Sequence, residues 1–297
     1  MKHLIITCSD SKYGDFLTEH WIVSLKENIN LNNVDVVVLD YGLTESQIEI
    51  IKLMRIKLIK CVRDGHVTSL RYRDLLTFLQ KENYDQVLMV DGGDIIFQSD
   101  ISNLFEENKN NFRVVTETVS INFEYFYQKV IKSKKLRKEV ISLLEGKEVI
   151  NGGFILASSA QLIQFCLFYL KTIKHLKSHG IDQVLINYYL YKYGFVSLDK
   201  TYNFMLISNF HSDRYLIKHN KFYTSEGQLI AVVHNLGGIN LMRGMKNFGY
   251  ETIPYHNKMI HISKIGNNVI NLFFKFVVKL RVLIKLVLQG PRTKDEK

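Results

Sequence analysis

Proline is scarce in this chain, with two in 297 residues, and no Gly/Ser-rich linker, internal repeat or low-complexity tract interrupts it. Composition therefore marks no break between domains. Cysteine is scarce too: Cys8, Cys61 and Cys166 are scattered and lack metal-ligand spacing. An odd set without a framework speaks against a disulfide scaffold and for reduced thiols in a cytosolic compartment. The apolar run from Leu4 to Cys8 is too short for a signal peptide and reads as a first core strand. Apolar residues make up 46% and charged residues 23%, an ordinary balance for a folded chain long enough to build a large core.

Positive charge is in excess. The formal net charge is +10, and residues 264–297 hold eight Lys/Arg against two Asp/Glu, a net of +6. Nucleic acid is the reflex partner of a basic chain, but here the charge lies in an apolar setting, so no nucleic acid is expected. Between Val269 and Gln289, the cations Lys275, Lys279, Arg281 and Lys285 fall within an arc of about 160° at about 100° per residue. A transmembrane span does not normally carry four cations. The pattern predicts an amphipathic helix about 30 Å long lying on an anionic membrane surface. A core helix with its lysines outward is the alternative.

Upstream, apolar strands alternate with helical patterns. Strands are expected at Leu4 to Cys8, Val34 to Leu39, Ile56 to Cys61 and Gln86 to Val90. Helices are expected from Phe16 to Asn28, from Thr44 to Met54 with Gln47 completing a capping box, and over 68–81. This β-α-β-α order argues for a mostly parallel sheet covered by helices. Later come a strand from Phe112 to Thr116, a polar helix over 122–145 and a strand from Val149 to Leu156. Helices over 159–178 and 181–193 precede a tyrosine-rich stretch ending in Leu229 to His234. One domain is expected over 1–260, followed by a distinct tail over 264–297.

The most informative segment runs from Val87 to Phe97. Four apolar residues lead into Asp91-Gly92-Gly93-Asp94, and apolar residues resume at once. A buried parallel strand presents its carboxyl end to a ligand crevice. Two aspartates three residues apart there can face one divalent ion, and glycines let a diphosphate approach the backbone. The same residue types also make ordinary tight turns.

With its other motifs the chain resembles nucleotide-sugar-dependent glycosyltransferases of the GT-A fold, an α/β Rossmann-like architecture. The resemblance is to glycosyltransferase family 8, over roughly residues 2–245, in short motifs in family order. By this resemblance the strand ending in Thr7, followed by Asp10 and Tyr13, grips the nucleotide base, with Asp10 on the uracil edge and Tyr13 stacked on it. Arg73, in Arg71-Tyr72-Arg73-Asp74, would reach the donor phosphates. Asp91 and Asp94 stand for the family's metal motif, spaced one residue wider than usual. Asn151, in Asn151-Gly152-Gly153-Phe154, would face the donor sugar. In Asp182-Gln183-Val184-Leu185-Ile186-Asn187, Asp182 would bind a sugar hydroxyl and Gln183 would sit at the reacting face. His234, in Val232-Val233-His234, would be the third metal ligand. The family's diphosphate lysine is replaced by Asn240, with Arg243 and Lys246 the nearest basic residues.

Two carboxylates and one imidazole suit Mn²⁺ or Mg²⁺. What the resemblance implies is a sugar moved from a UDP-sugar to a saccharide or glycolipid acceptor at the cell surface, with retention of configuration. The expected location is cytoplasmic, peripheral to the cytoplasmic face of the membrane. Two rivals remain at this stage: a nucleotidyltransferase of related fold, and a non-catalytic, membrane-peripheral carbohydrate-binding protein.

Overall fold

The computed structural model describes residues 2–117, 130–206, 215–236 and 245–252. Strand β1 (His3–Ser9) lies between β2 (Val34–Asp40) and β4 (Gln86–Val90), parallel to both, and β3 (Lys57–Lys60) runs parallel to β2. Aliphatic runs buried on both faces are what central parallel strands need. Side chains alternate across the sheet: Leu4 and Ile6 join one core, and Ile5 joins the other.

The first helical stretch is α1 (Ser11–Phe16), a π-helical turn (Leu17–Trp21) and α2 (Ile22–Asn28). It begins five residues earlier than the pattern predicts, because the Asp10 carboxylate accepts the Lys12 N–H and caps it. Helix α3 (Glu45–Leu53) carries the expected Thr44–Gln47 capping box, and α4 (Val67–Leu79) leads to β4.

Beyond β4 the sheet changes direction. After β5 (Ile95–Phe97) come β6 (Arg113–Glu117), α5 (Lys134–Leu144), β7 (Val149–Ser158), α6 (Ser159–Thr172), α7 (Ile181–Tyr193) and β8 (Val196–Ser197). The order across the sheet is β3-β2-β1-β4-β7-β6-β8, with β7 antiparallel to both β4 and β6. Three further short strands are β9 (Phe204–Met205), β10 (Tyr215–Lys218) and β11 (Lys221–Thr224), the last two forming a hairpin. Strand β12 (Val232–His234) pairs with β5 and β9 in a small second sheet.

Two further helix ends differ from expectation. Helix α6 stops at Thr172 rather than near 178, because Ile173 turns away to form an antiparallel bridge with Ile131. The helix expected over 122–145 is described as Lys134–Leu144, capped by Ser133, while 122–129 lie outside the described residues. The boundary near 260 and the tail over 264–297 lie outside them too. Among the described residues no helix is long and apolar enough to cross a membrane.

Candidate active site

The loop Asp91–Asp94 leaves the end of β4 and turns back into β5, which pairs antiparallel with β12 so that His234 lies opposite Ile95. This places His234 beside Asp94, and the Asn235 N–H donates to the Asp94 carbonyl at 2.8 Å. Asp91 is tied on both sides: its N–H donates to the Gly153 carbonyl at 2.9 Å, and its carbonyl accepts the Trp21 indole N–H at 3.0 Å. One ligand atom each from Asp91, Asp94 and His234 lies within 4.8 Å of the others. The family resemblance had grouped these three, with His234 some 140 residues beyond the aspartates, and the fold brings them together.

His234 is fully buried. Its Nδ1 meets Asn203 Oδ1 at 2.9 Å, while Nε2 lies 3.3 Å from Asp94 Oδ1, off hydrogen-bond alignment and without a hydrogen-bond partner. With the Nδ1 proton engaged by a carbonyl oxygen, the Nε2 lone pair is free for a cation. Burial pushes the His234 pKa down, but Asp94 and Asp91 outweigh it and hold the pKa above its ordinary value. Any cation bound at Nε2 would therefore have to compete with a proton there. Asp91 and Asp94 are half-buried, so the cluster is closed at the histidine and open at the carboxylates.

Glycine at 153 is required by this crowding. A Cβ there would stand 2.6 Å from His234 Cε1, 2.7 Å from Asp91 Oδ2 and 2.9 Å from Asn151 Oδ1. The loop glycines also serve the packing of the loop itself. On the side a Cβ would occupy, Gly92 meets Thr7 Oγ1 at 2.6 Å and Gly93 meets the Tyr13 ring at 2.7 Å. They let the loop settle on the end of β1, which sets Thr7 and Tyr13 against the glycines between the two carboxylates. The Thr7 hydroxyl is buried with no hydrogen-bond partner. Asp10, besides capping α1, pairs with Arg63 at 2.9 Å.

The basic residue at the carboxylates is Arg71, not Arg73. Arg71 is buried and donates to Asp91 Oδ1 at 2.5 Å, Asp182 Oδ2 at 3.0 Å and the Gly152 carbonyl at 3.3 Å. Burial alone would lower its pKa, but Tyr72, Asp91 and Asp182 raise it and keep the guanidinium charged. Arg73 points the other way, to Asp64 at 2.6 Å and Asp74 at 2.9 Å. Asp182 is buried and joined to Asp91 through Arg71, so it is more than a helix N-terminal charge.

Helix α7 is stapled to the glycine strand. Gln183 Oε1 accepts from the Gly152 N–H at 2.9 Å, and its Nε2 donates to the Ile150 carbonyl. Asn187 accepts from the Ile150 N–H at 2.8 Å and donates to the Ile150 carbonyl at 2.8 Å. The Gly153 N–H donates to Asn151 Oδ1 at 2.8 Å. Side chains thus satisfy the backbone where the β6–β7 register shifts. Gln183, expected at the reacting face, has both amide atoms engaged by this backbone. Arg243 lies outside the described residues, but Asn235 clamps the Met245 N–H and carbonyl at 3.0 and 2.9 Å, beside Asp94. Lys246 is exposed.

No protein-family model matches the sequence, and no curated protein matches it either. Solved structures do match the fold. The galactosyltransferase LgtC, in complex with donor and acceptor sugar analogs, superposes with a TM-score of 0.53 at 17% identity, over 80% of this chain and 88% of that one. GlyE from Streptococcus pneumoniae TIGR4 gives 0.51 at 17% identity, over 88% of this chain and 59% of that one. The WbbM bifunctional glycosyltransferase gives 0.54 at 17% identity, over 81% of this chain and 46% of that one. The shared architecture is the GT-A, Rossmann-like fold, as the motif order had implied.

Proposed function

We propose that this chain is a metal-dependent glycosyltransferase that moves a sugar from a UDP-sugar to a saccharide acceptor. The observation that carries the reading is the convergence of Asp91, Asp94 and His234 at the open end of a GT-A sheet. Two carboxylates and a buried imidazole nitrogen without a hydrogen-bond partner fit Mn²⁺ or Mg²⁺. When bound, the cation supplies Lewis-acid stabilisation to the departing diphosphate.

The chain's own residues position the donor. Arg71 fixes Asp91 through Oδ1, which leaves Oδ2 on the Gly153 side near His234. Asp182, held by the same guanidinium, accepts a hydrogen bond from a sugar hydroxyl. Asn151 presents its amide N–H₂ to the sugar, since its oxygen is engaged by the Gly153 N–H. Thr7, Asp10 and Tyr13 line the nucleotide side. Gln183 and Asn187 keep the glycine strand rigid, so that the sugar pocket is preorganised. In this reading Arg243 or Lys246 supports the diphosphate, the anomeric configuration is retained, and the tail over 264–297 holds the enzyme at an anionic, cytoplasmic membrane face near lipid-linked acceptors.

The test is UDP release from a panel of UDP-sugars with Mn²⁺, which needs no acceptor, for the wild type and Asp94→Ala. Turnover lost in a variant that unfolds at the wild-type denaturant concentration is the expected result. Unchanged turnover in the variant would remove the site. Pyrophosphate release from a nucleoside triphosphate and a sugar phosphate would favour a nucleotidyltransferase.

A further inference from the structure

Two lysine-rich segments that are remote in sequence lie side by side. Residues 130–138 contain Lys132, Lys134, Lys135, Arg137 and Lys138, and residues 171–179 contain Lys171, Lys174 and Lys177; neither holds an Asp or Glu. The Ile131–Ile173 bridge joins them, with the Lys132 N–H on the Thr172 carbonyl at 3.0 Å and the Lys174 N–H on the Val130 carbonyl at 2.9 Å. The Lys132 ammonium reaches the Lys171 carbonyl at 3.1 Å.

All seven lysines are exposed, and none forms an ion pair among the described residues. Two neighbouring carboxylates, Asp64 and Glu139, are already paired, with Arg73 and Lys192. Folding thus gathers eight cations that sequence separation alone would have kept apart. Leu167 is one of the few exposed large apolar side chains, at 50% exposure. It precedes Lys171 by one turn on the same face of α6.

We propose that this face docks on an anionic membrane surface. The chemistry favours a lipid surface over a discrete anionic ligand. Lysine is a flexible, hydrated point charge that suits diffuse attraction to headgroups, whereas a specific anion site would use ordered forked donors. An exposed leucine among the lysines can enter the interfacial region. The face also continues into the site. The Ser178 carbonyl accepts the Ser69 hydroxyl at 2.9 Å, and two residues later Gly180 opens α7 with Asp182. Docking here would bring a membrane-anchored acceptor to the edge of the crevice. The inference stands without the catalytic reading, because vesicle binding needs no turnover.

The experiment is vesicle co-sedimentation of the full chain with phosphatidylglycerol-containing and purely phosphatidylcholine vesicles. The variants are Lys134→Glu/Lys135→Glu/Lys138→Glu/Lys174→Glu and, in parallel, the tail variant Lys275→Glu/Lys279→Glu/Lys285→Glu. Each lysine near an anionic surface strengthens binding by roughly fivefold, so the first variant should lose about a hundredfold or more in affinity for anionic vesicles. It should keep the wild-type circular dichroism, and binding should weaken as salt is raised. Wild-type vesicle affinity in the first variant, with loss confined to the tail variant, would overturn the proposal. So would equal binding to phosphatidylcholine, or wild-type vesicle binding together with lost affinity for a soluble anionic polysaccharide such as heparin.

Discussion

Replacing Gly153 by alanine tests the site at its tightest point. The added carbon would stand 2.6 Å from His234 Cε1 and 2.7 Å from Asp91 Oδ2, on two sides at once. Carbon contacts settle near about 3.5–4.0 Å, so each neighbour must move by roughly 1 Å or the strand must retreat. Strand retreat is resisted by Asp91, whose N–H holds the Gly153 carbonyl, and by Gln183 and Asn187 on the residues before it. Overpacking of this kind costs about 1–3 kcal/mol. Metal sites tolerate ligand shifts of only about 0.2 Å. Gly153→Ala should therefore lower the urea midpoint and weaken Mn²⁺ binding about tenfold or more. Trp21, the single tryptophan, donates to the Asp91 carbonyl, so quenching of its fluorescence by Mn²⁺ reads the site directly. Gly152→Ala is the contrast, since its Cβ would meet the Gln183 side chain at 3.1 Å and miss Asp91 and His234. Wild-type Mn²⁺ affinity and stability in Gly153→Ala would show that Gly153 is not crowded against His234 and Asp91.

Three further outcomes are expected. Arg71→Met leaves Asp91 and Asp182 without their shared cation, one of them buried; a loss of about 3–5 kcal/mol in urea unfolding is expected, and a loss under about 1 kcal/mol would contradict the buried pairing. Asn203→Leu removes the acceptor that sets the His234 tautomer; Mn²⁺ affinity should fall about 10–100-fold by fluorescence titration, with the circular dichroism unchanged. Burial pushes the Cys8 thiol up to about 12 and the Cys61 thiol up to about 11, against an ordinary 9.0. The stability these raised values contribute is complete below pH 9.0 and is lost as pH rises through the folded values, so the unfolding midpoint should drop between pH 9 and 11. A midpoint that is flat over that range would place the thiols in a more open setting.

The two aspartates and the strand that carries them were legible because burial and a turn are local properties, and a glycine pair within an apolar run is distinctive. His234 was legible only through the motif that surrounds it. The choice between Arg71 and Arg73 could have been made from periodicity. Arg71 shares a helical stripe with Leu75 and Phe78, which are buried, whereas Arg73 shares one with Thr77, which is exposed. Asn203 carried no signal at all: a lone asparagine in a short 3₁₀ turn becomes meaningful only when β12 brings His234 to it. The end of α6 was missed for a similar reason, because its helical pattern continues to 178 and only the distant Ile131 explains the stop. The antiparallel insertion of β7 was equally invisible, since a buried aliphatic strand reads the same in either direction.

The most direct test of the central claim is UDP release by the purified full chain, measured for each of a panel of UDP-sugars with Mn²⁺ and again after the metal is chelated. At least one UDP-sugar should be hydrolysed with Mn²⁺, and the activity should vanish on chelation, in His234→Ala and in Asp94→Ala. Turnover that persists in chelator or in either variant would contradict it, as would the absence of turnover for every UDP-sugar in a protein that binds Mn²⁺ at these residues.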